Sequence, residues 1–165
     1  MEIDRIIDEI SQYKCPLVEV TGGEPLIQKD TPDLILSLIE NGFQVLLETN
    51  GSQDINLVDD RCARVVDIKC PSSNEAEHNN FRNLKRLTSL DEVKFVISNR
   101  EDYEYAKEVI KRPQLSKLQR NKVHFSPVFG QLEYKKLAKW ILEDHLIVKL
   151  HIQLHKIIWG PDTKV

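Results

Sequence analysis

Two hydrophobic rhythms alternate along this chain. Ile3, Ile6, Ile7 and Ile10 fall at the i, i+3, i+4, i+7 spacing of a helix with one buried stripe, and Leu34, Ile35, Leu38 and Ile39 form a second stripe. Between and after them come short apolar runs that end in polar clusters: Leu17–Val20, Val45–Leu47, Val65–Ile68, Val93–Ile97 and Val123–Phe125. Runs of this length, bounded by Gly, Pro, Asn and Ser, read as buried strands. Further amphipathic patterns predict helices over Glu77–Leu87, Glu101–Lys111 and Glu133–Leu142. The second helix is well bounded, with Thr31 available as its cap, Pro32 in its first turn and Gly42 as its stop. The result is strand-helix alternation at about 30 residues per unit, the signature of βαβ units and a parallel sheet.

The last segment differs in kind. From Leu146 to Leu154, Leu146, Val148, Leu150, Ile152 and Leu154 alternate with Lys149, His151, Gln153 and His155. Period two predicts a strand with one polar face. On such a strand His151 and His155 stand about 13 Å apart, too far for one metal whose bonds are about 2.0–2.1 Å. The polar face is either solvated or, at Gln153 and His155, turned toward a ligand.

The polar clusters fall where chemistry is found in parallel α/β folds, at the carboxyl ends of the strands. Thr21-Gly22-Gly23-Glu24-Pro25 closes the first strand. Glu48-Thr49-Asn50-Gly51-Ser52 closes the second, and Lys69-Cys70-Pro71-Ser72-Ser73 the third. Adjacent glycines carry no Cβ and tolerate positive φ, so backbone amides and carbonyls can turn toward a bound group, with the Glu24 carboxylate beside them. That suits a small zwitterion or an anion. Each cluster is also good turn chemistry on its own; their convergence on one mouth is what points to a site.

Composition narrows the field. With 23 Lys and Arg against 26 Asp and Glu the net charge is −3, and the basic residues are dispersed, so nucleic acid is not an expected partner. No apolar run approaches a membrane span, and the amino terminus reads as a charged amphipathic helix rather than a signal peptide, so a cytoplasmic location is expected. No repeat or linker marks a second domain, and residues 1–165 are read as one. At 165 residues the chain falls short of the roughly 250 of an eight-unit barrel, which implies a partial barrel or an open sheet. Cys15, Cys62 and Cys70 match no compact metal or redox spacing and are expected to be structural.

Taken in order, Thr21-Gly22-Gly23-Glu24-Pro25-Leu26, Glu48-Thr49-Asn50-Gly51-Ser52, Asp67-Ile68-Lys69-Cys70-Pro71-Ser72-Ser73, and Gln153-Leu154-His155-Lys156 before Trp159 resemble the 7-carboxy-7-deazaguanine synthase family of radical S-adenosylmethionine (SAM) enzymes. The first motif is common to many radical SAM enzymes; the third and fourth favour the deazaguanine branch. The resemblance implies an α/β fold, a partial (βα) barrel of the radical SAM type, with SAM, a [4Fe-4S] cluster and Mg²⁺ as cofactors. The implied reaction is radical ring contraction of 6-carboxy-5,6,7,8-tetrahydropterin to 7-carboxy-7-deazaguanine with loss of ammonia, toward queuosine. By motif position, Gly22, Gly23 and Glu24 would hold the methionine ammonium, and Asn50, Ser52, Ser72 and Ser73 would approach its carboxylate or ribose. Gln153 would join the cofactor set, and Thr21 and His155 would touch the pterin. An electron donor such as a flavodoxin is implied as a partner.

The chain departs from the family at one point. The family holds its cluster on a CxxxCxxC loop after the first barrel strand, and these residues carry no such motif. Thiolates are what hold such clusters. The cluster is therefore not expected in this chain, which reads as a fragment, a truncated product or a misassigned start, with the first βα unit missing or incomplete and no turnover of its own. The strand Leu17–Thr21 would then be a sheet edge open to pairing, from which a homodimer or aggregation is expected. Other readings from the residues are another radical SAM activating enzyme, a non-catalytic SAM- or pterin-binding module, and a Rossmann-type protein. The last lacks its G-x-G-x-x-G fingerprint, since Gly22-Gly23 runs into Glu24-Pro25.

Overall fold

The apolar runs become six parallel strands whose order in the sheet is their order in the chain: β1 Leu17–Val20, β2 Gln44–Thr49, β3 Ala63–Ile68, β4 Glu92–Ile97, β5 Val123–Pro127 and β6 Lys149–Leu150. A computed structural model describes residues 2–118 and 122–160. Helices α1 Ile3–Ser11, α2 Thr31–Glu40, α3 Arg100–Ile110, α4 Tyr134–Glu143 and the short α5 Leu154–Ile158 connect or flank the strands. Sequential parallel order is barrel winding, and β1 and β6 end the sheet without meeting, so the fold is an open α/β partial barrel.

Alternation along each strand divides the side chains between two faces. Val45, Leu47, Val66, Val93, Phe95, Ile97 and Phe125 are buried on the outer face. They meet Ile35 and Leu38 of α2, Tyr103, Ala106 and Val109 of α3, and Leu137 and Ile141 of α4. Phe125 sits edge-on to both Phe95 and Tyr103, at centroid distances of 5.6 and 5.8 Å. An ion pair is embedded here: Arg64, fully buried, is held bidentately by fully buried Asp91 at 2.9 and 2.8 Å. The inner face carries Glu19, Glu48, Val65, Asp67, Lys94 and His124, and their registers align Asp67 with Lys94 and Lys94 with His124.

Three elements differ from the sequence-based expectation. The helix over 77–87 is replaced by two 3-10 turns, Ala76–His78 and Phe81–Lys85. Two asparagines break it: Asn79 turns its side chain onto the backbone of Lys69, and Asn80 caps the second turn by accepting from Arg82 N–H. The strand over 146–154 pairs only at Lys149–Leu150. Its start is absorbed by the end of α4, where His145 adopts φ +51 and Leu146 N–H bonds back to Ile141 O in a Schellman closure. Its continuation fails at Pro127, the next residue of β5 to face it after Phe125, because proline has no N–H to donate. Leu154 and His155 consequently lie on α5 rather than on a strand. Thr31, expected as a cap, is the first residue of α2, and its hydroxyl donates to Pro25 O at 2.7 Å.

Candidate functional site: a mouth of strand-end turns over a charged lumen

The turn after β1 is bare on one side and clamped on the other. Gly22 and Gly23 have φ of +109° and +61°, and nothing lies within 4 Å of where a Cβ would stand on either. Their backbone is open to a ligand in a conformation other residues rarely adopt. Glu24 is buried. Its carboxylate accepts from Leu26 N–H (3.0 Å), Thr49 Oγ1 (2.8 Å) and Asn50 N–H (2.7 Å), tying the β1 turn to the β2 turn.

The turn after β2 is organised by its own side chains. Thr49 Oγ1 accepts from Gly51 N–H at 3.0 Å, and Asn50 Oδ1 accepts from Ser52 N–H at 2.9 Å in an Asx turn. Asn50 and Ser52 share a small cavity of about 80 Å³ with Lys69 and Asn79. After β3, Lys69 Nζ pairs with Asp67 at 2.8 Å, while Asn79 both accepts from Lys69 N–H and donates to Lys69 O. Ser72 and Ser73 line neither this cavity nor the lumen below it. Fully buried Asp102 accepts from Ser72 N–H at 3.0 Å and Ser98 N–H at 2.9 Å, so one carboxylate joins the turns after β3 and β4. Ser73 Oγ donates to Cys70 O at 2.6 Å.

Below the mouth, the inner face encloses about 470 Å³. Glu48 pairs with Lys94 across two strands, and Thr21 Oγ1 donates to the other Glu48 oxygen at 3.4 Å. His124 Nε2 lies 2.7 Å from Glu92 Oε2, and the His124 and His151 rings meet edge to face at 5.5 Å. Gln153 and His155 line the same space. Burial holds the Lys94 ammonium below its ordinary pKa against the pull of Glu19. It likewise depresses His124, despite Glu92, and His151, where Lys94 adds to the effect. Asp67 moves the other way: burial raises its carboxyl, only partly countered by Lys69, and its Oδ1 has no hydrogen-bond partner among the described residues. The lumen thus presents cations and anions that are desolvated enough to favour a charged, hydrogen-bonding ligand.

Most of the residues singled out from sequence gather here. Gly22, Gly23, Glu24, Asn50 and Ser52 stand on adjoining turns, and Glu48, Gln153 and His155 line the lumen, which exposed Thr21 reaches only through its bond to Glu48. Lys94, Glu92, His124 and His151 were not anticipated as site residues. For Glu92, Lys94 and His124 the signal was present as polar residues at alternate positions within otherwise apolar strands, which places them on one face, and His151 stood on the polar face of the last segment.

The open Gly22-Gly23 backbone beside the Asn50–Ser52 turn fits an amino-acid and ribose moiety such as that of SAM. The thiols do not fit a [4Fe-4S] cluster. Cys15 is exposed, Cys62 and Cys70 are buried, and burial pushes Cys62 up to about 11 and raises Cys70 further, away from thiolate ligation. Among the described residues no three His, Cys, Asp or Glu side chains form a metal-ligand group. None of the described helices is long and apolar enough to cross a membrane.

No family model matches the sequence. Among curated proteins, the 7-carboxy-7-deazaguanine synthase of Chlorobaculum tepidum is 42% identical over 167 residues, covering 99% of this chain and 75% of the relative. That of Koribacter versatilis is 40% identical, covering 99% and 78%. That of Methanospirillum hungatei is 35% identical, covering 98% and 66%. The crystal structure of QueE from Escherichia coli superposes with a TM-score of 0.71 over 92% of this chain and 64% of that one; at 18% identity this is a likeness of fold. Identity at this level across almost every residue of the chain, on the same open barrel, means that it belongs to the 7-carboxy-7-deazaguanine synthase family.

Proposed function

We propose that these residues form the cofactor- and substrate-binding body of a radical SAM enzyme that acts on 6-carboxy-5,6,7,8-tetrahydropterin and forms 7-carboxy-7-deazaguanine. The observation that carries the reading is the lumen: a cavity of about 470 Å³ directly beneath the mouth turns, its walls largely apolar but carrying carboxylates and cations on facing strands. A pterin carboxylate matches Lys94 and the two lumen histidines, and its guanidine-like edge matches a carboxylate not spent on Lys94, such as Glu19. Backbone groups of Gly22 and Gly23 take the methionine ammonium, with Glu24 fixing their turn. Asn50 and Ser52 take the carboxylate or ribose. Ser72 and Ser73, which the family resemblance puts in this set, line neither cavity, and Asp102 holds their turn. Thr21, Gln153 and His155 stand between cofactor and substrate. SAM, when bound, supplies the radical chemistry of the family.

The described thiols offer no cluster site, so this chain alone is proposed to bind without turning over. With the family reading go Mg²⁺, an electron donor such as a flavodoxin, a homodimer and a cytoplasmic location. The rival reading, a non-catalytic binding module, is favoured by the buried cysteines. Calorimetric titration of this chain with the pterin in the presence of SAM tests the proposal. Saturable binding that weakens about thirtyfold or more in Lys94→Met, the loss of roughly 2 kcal/mol or more expected for one desolvated charge contact, supports it. Absence of binding to either molecule refutes it. Iron and sulfide content after anaerobic reconstitution tests what the two readings share, since a stoichiometric cluster would eliminate the module and the inactivity together.

A further inference from the structure

Asn83 is a fully buried asparagine with 1% of its surface exposed, set in the Phe81–Lys85 3-10 turn of the β3–β4 connection and outside every motif. Its side chain is spent on the loop after β2. Nδ2 donates to Gly51 O at 2.9 Å and to Gln53 O at 2.6 Å, and Oδ1 faces Ile55 N–H at 3.4 Å. The same Oδ1 accepts from Arg86 Nη1 at 2.9 Å, and Arg86 reaches on to Asp54. We infer that Asn83 is a positioning residue that holds the 50–55 loop in the shape that presents Asn50 and Ser52 to the cofactor. For its ligand this rests on the SAM reading given above.

The argument is one of satisfaction. Buried carbonyls need donors, and two of this loop's carbonyls have theirs from a single carboxamide. On the opposite side Gly51 is pressed so closely to Val66 that a Cβ would stand 2.7 Å from Cγ1. The loop is therefore fixed between the β3 side chain and Asn83. Without the carboxamide, Gly51 O and Gln53 O must turn to water, and Asn50 and Ser52 turn with them.

S-adenosylhomocysteine, which carries the amino-acid and ribose groups, is the probe, measured by calorimetry alongside amide hydrogen exchange on the unaltered chain and on Asn83→Ala. The expected result is about tenfold weaker binding, the size of one unsatisfied buried polar group. Faster exchange should appear at Gly51, Ser52 and Ile55, with β3 and β4 unchanged. Asn83→Asp keeps the volume and the Oδ1 acceptor but sets an oxygen against the two carbonyls; it should behave like the alanine variant and serves if that one does not fold. Unchanged loop exchange overturns the inference, and so does faster exchange with binding unaltered, which leaves Asn83 a merely structural role. If the unaltered chain fails to bind the probe, the SAM reading falls, and the exchange comparison alone decides whether Asn83 holds the loop.

Discussion

Replacing Gly51 with alanine tests the mouth's packing most directly. Gly51 sits at φ +69°, in the left-handed region, where an L side chain costs about 1–2 kcal/mol. The new Cβ would also stand 2.7 Å from Val66 Cγ1, when carbon atoms normally approach to about 3.5–4.0 Å. Val66 is fully buried in the middle of β3 and cannot swing away. Overpacking of this kind costs about 1–3 kcal/mol, which brings the expected loss for Gly51→Ala to about 2–5 kcal/mol. Val66→Ala alone removes two buried methyl groups and should cost about 2 kcal/mol. If the clash is real, the double variant is less destabilised than the sum of the singles by about 1–3 kcal/mol, because the second substitution makes room for the first. Urea unfolding followed by circular dichroism reads all four stabilities. Losses that add within about 0.5 kcal/mol would refute the contact, and a Gly51→Ala loss below about 1 kcal/mol would refute the backbone argument as well.

Asp91→Ala should destabilise by about 3–5 kcal/mol in the same assay, because it leaves fully buried Arg64 with only the exposed Asp60 carboxylate, 3.7 Å away, as counter-charge. An Arg64→Met, Asp91→Leu pair should recover only part of that, since Asp91 also accepts from the backbone N–H groups of Arg64 and Thr88; a loss under about 1 kcal/mol in the single variant would contradict the pairing. His124 and His151 both have folded-state pKa values below the ordinary histidine value of about 6.5. The unfolded chain therefore takes up protons first as pH falls, and stability conferred by the neutral rings is lost from about pH 6.5 downward. Stability measured at about pH 7.5 and 5.5 should show this fall, and it should be shallower in His124→Gln and His151→Gln; equal slopes would remove burial as the cause.

What could be read from the chain followed from how local each feature is. Strands β1 to β5 carried their evidence within a few residues, as apolar runs closed by turn chemistry, and so did α2 with its Gly42 stop. The segment from 146 to 154 misled because its alternation is real but its pairing partner is not: the limits of β6 are set by Pro127 and by the closure of α4, which depend on residues outside the segment. The polar insertion after β3 misled for the opposite reason, since Asn79 and Asn80 find partners that a helix could not offer. Asn83 and Asp102 could not be recognised at all. Their function depends on backbone groups about 30 residues away, and only the folded chain brings those groups to them.

The division of faces has a consequence for how this fold can vary. The apolar contacts that hold the sheet to its helices lie on the outer face, around Phe95, Phe125, Tyr103 and Ile35, and none of them depends on what lines the lumen. Lumen charges are paired across strands, as Glu48 with Lys94, and removing one partner leaves the other beside a cavity into which water can enter. The penalty for an uncompensated charge is much smaller there than at Arg64. Substitutions at Lys94, His124 or His151 should therefore change ligand recognition with little loss of fold, whereas the buried polar residues behind the mouth couple the two. Glu24, Asn83 and Asp102 each join one strand-end turn to another part of the chain, so a defect in any of them misplaces a binding turn and loosens the sheet's carboxyl edge together.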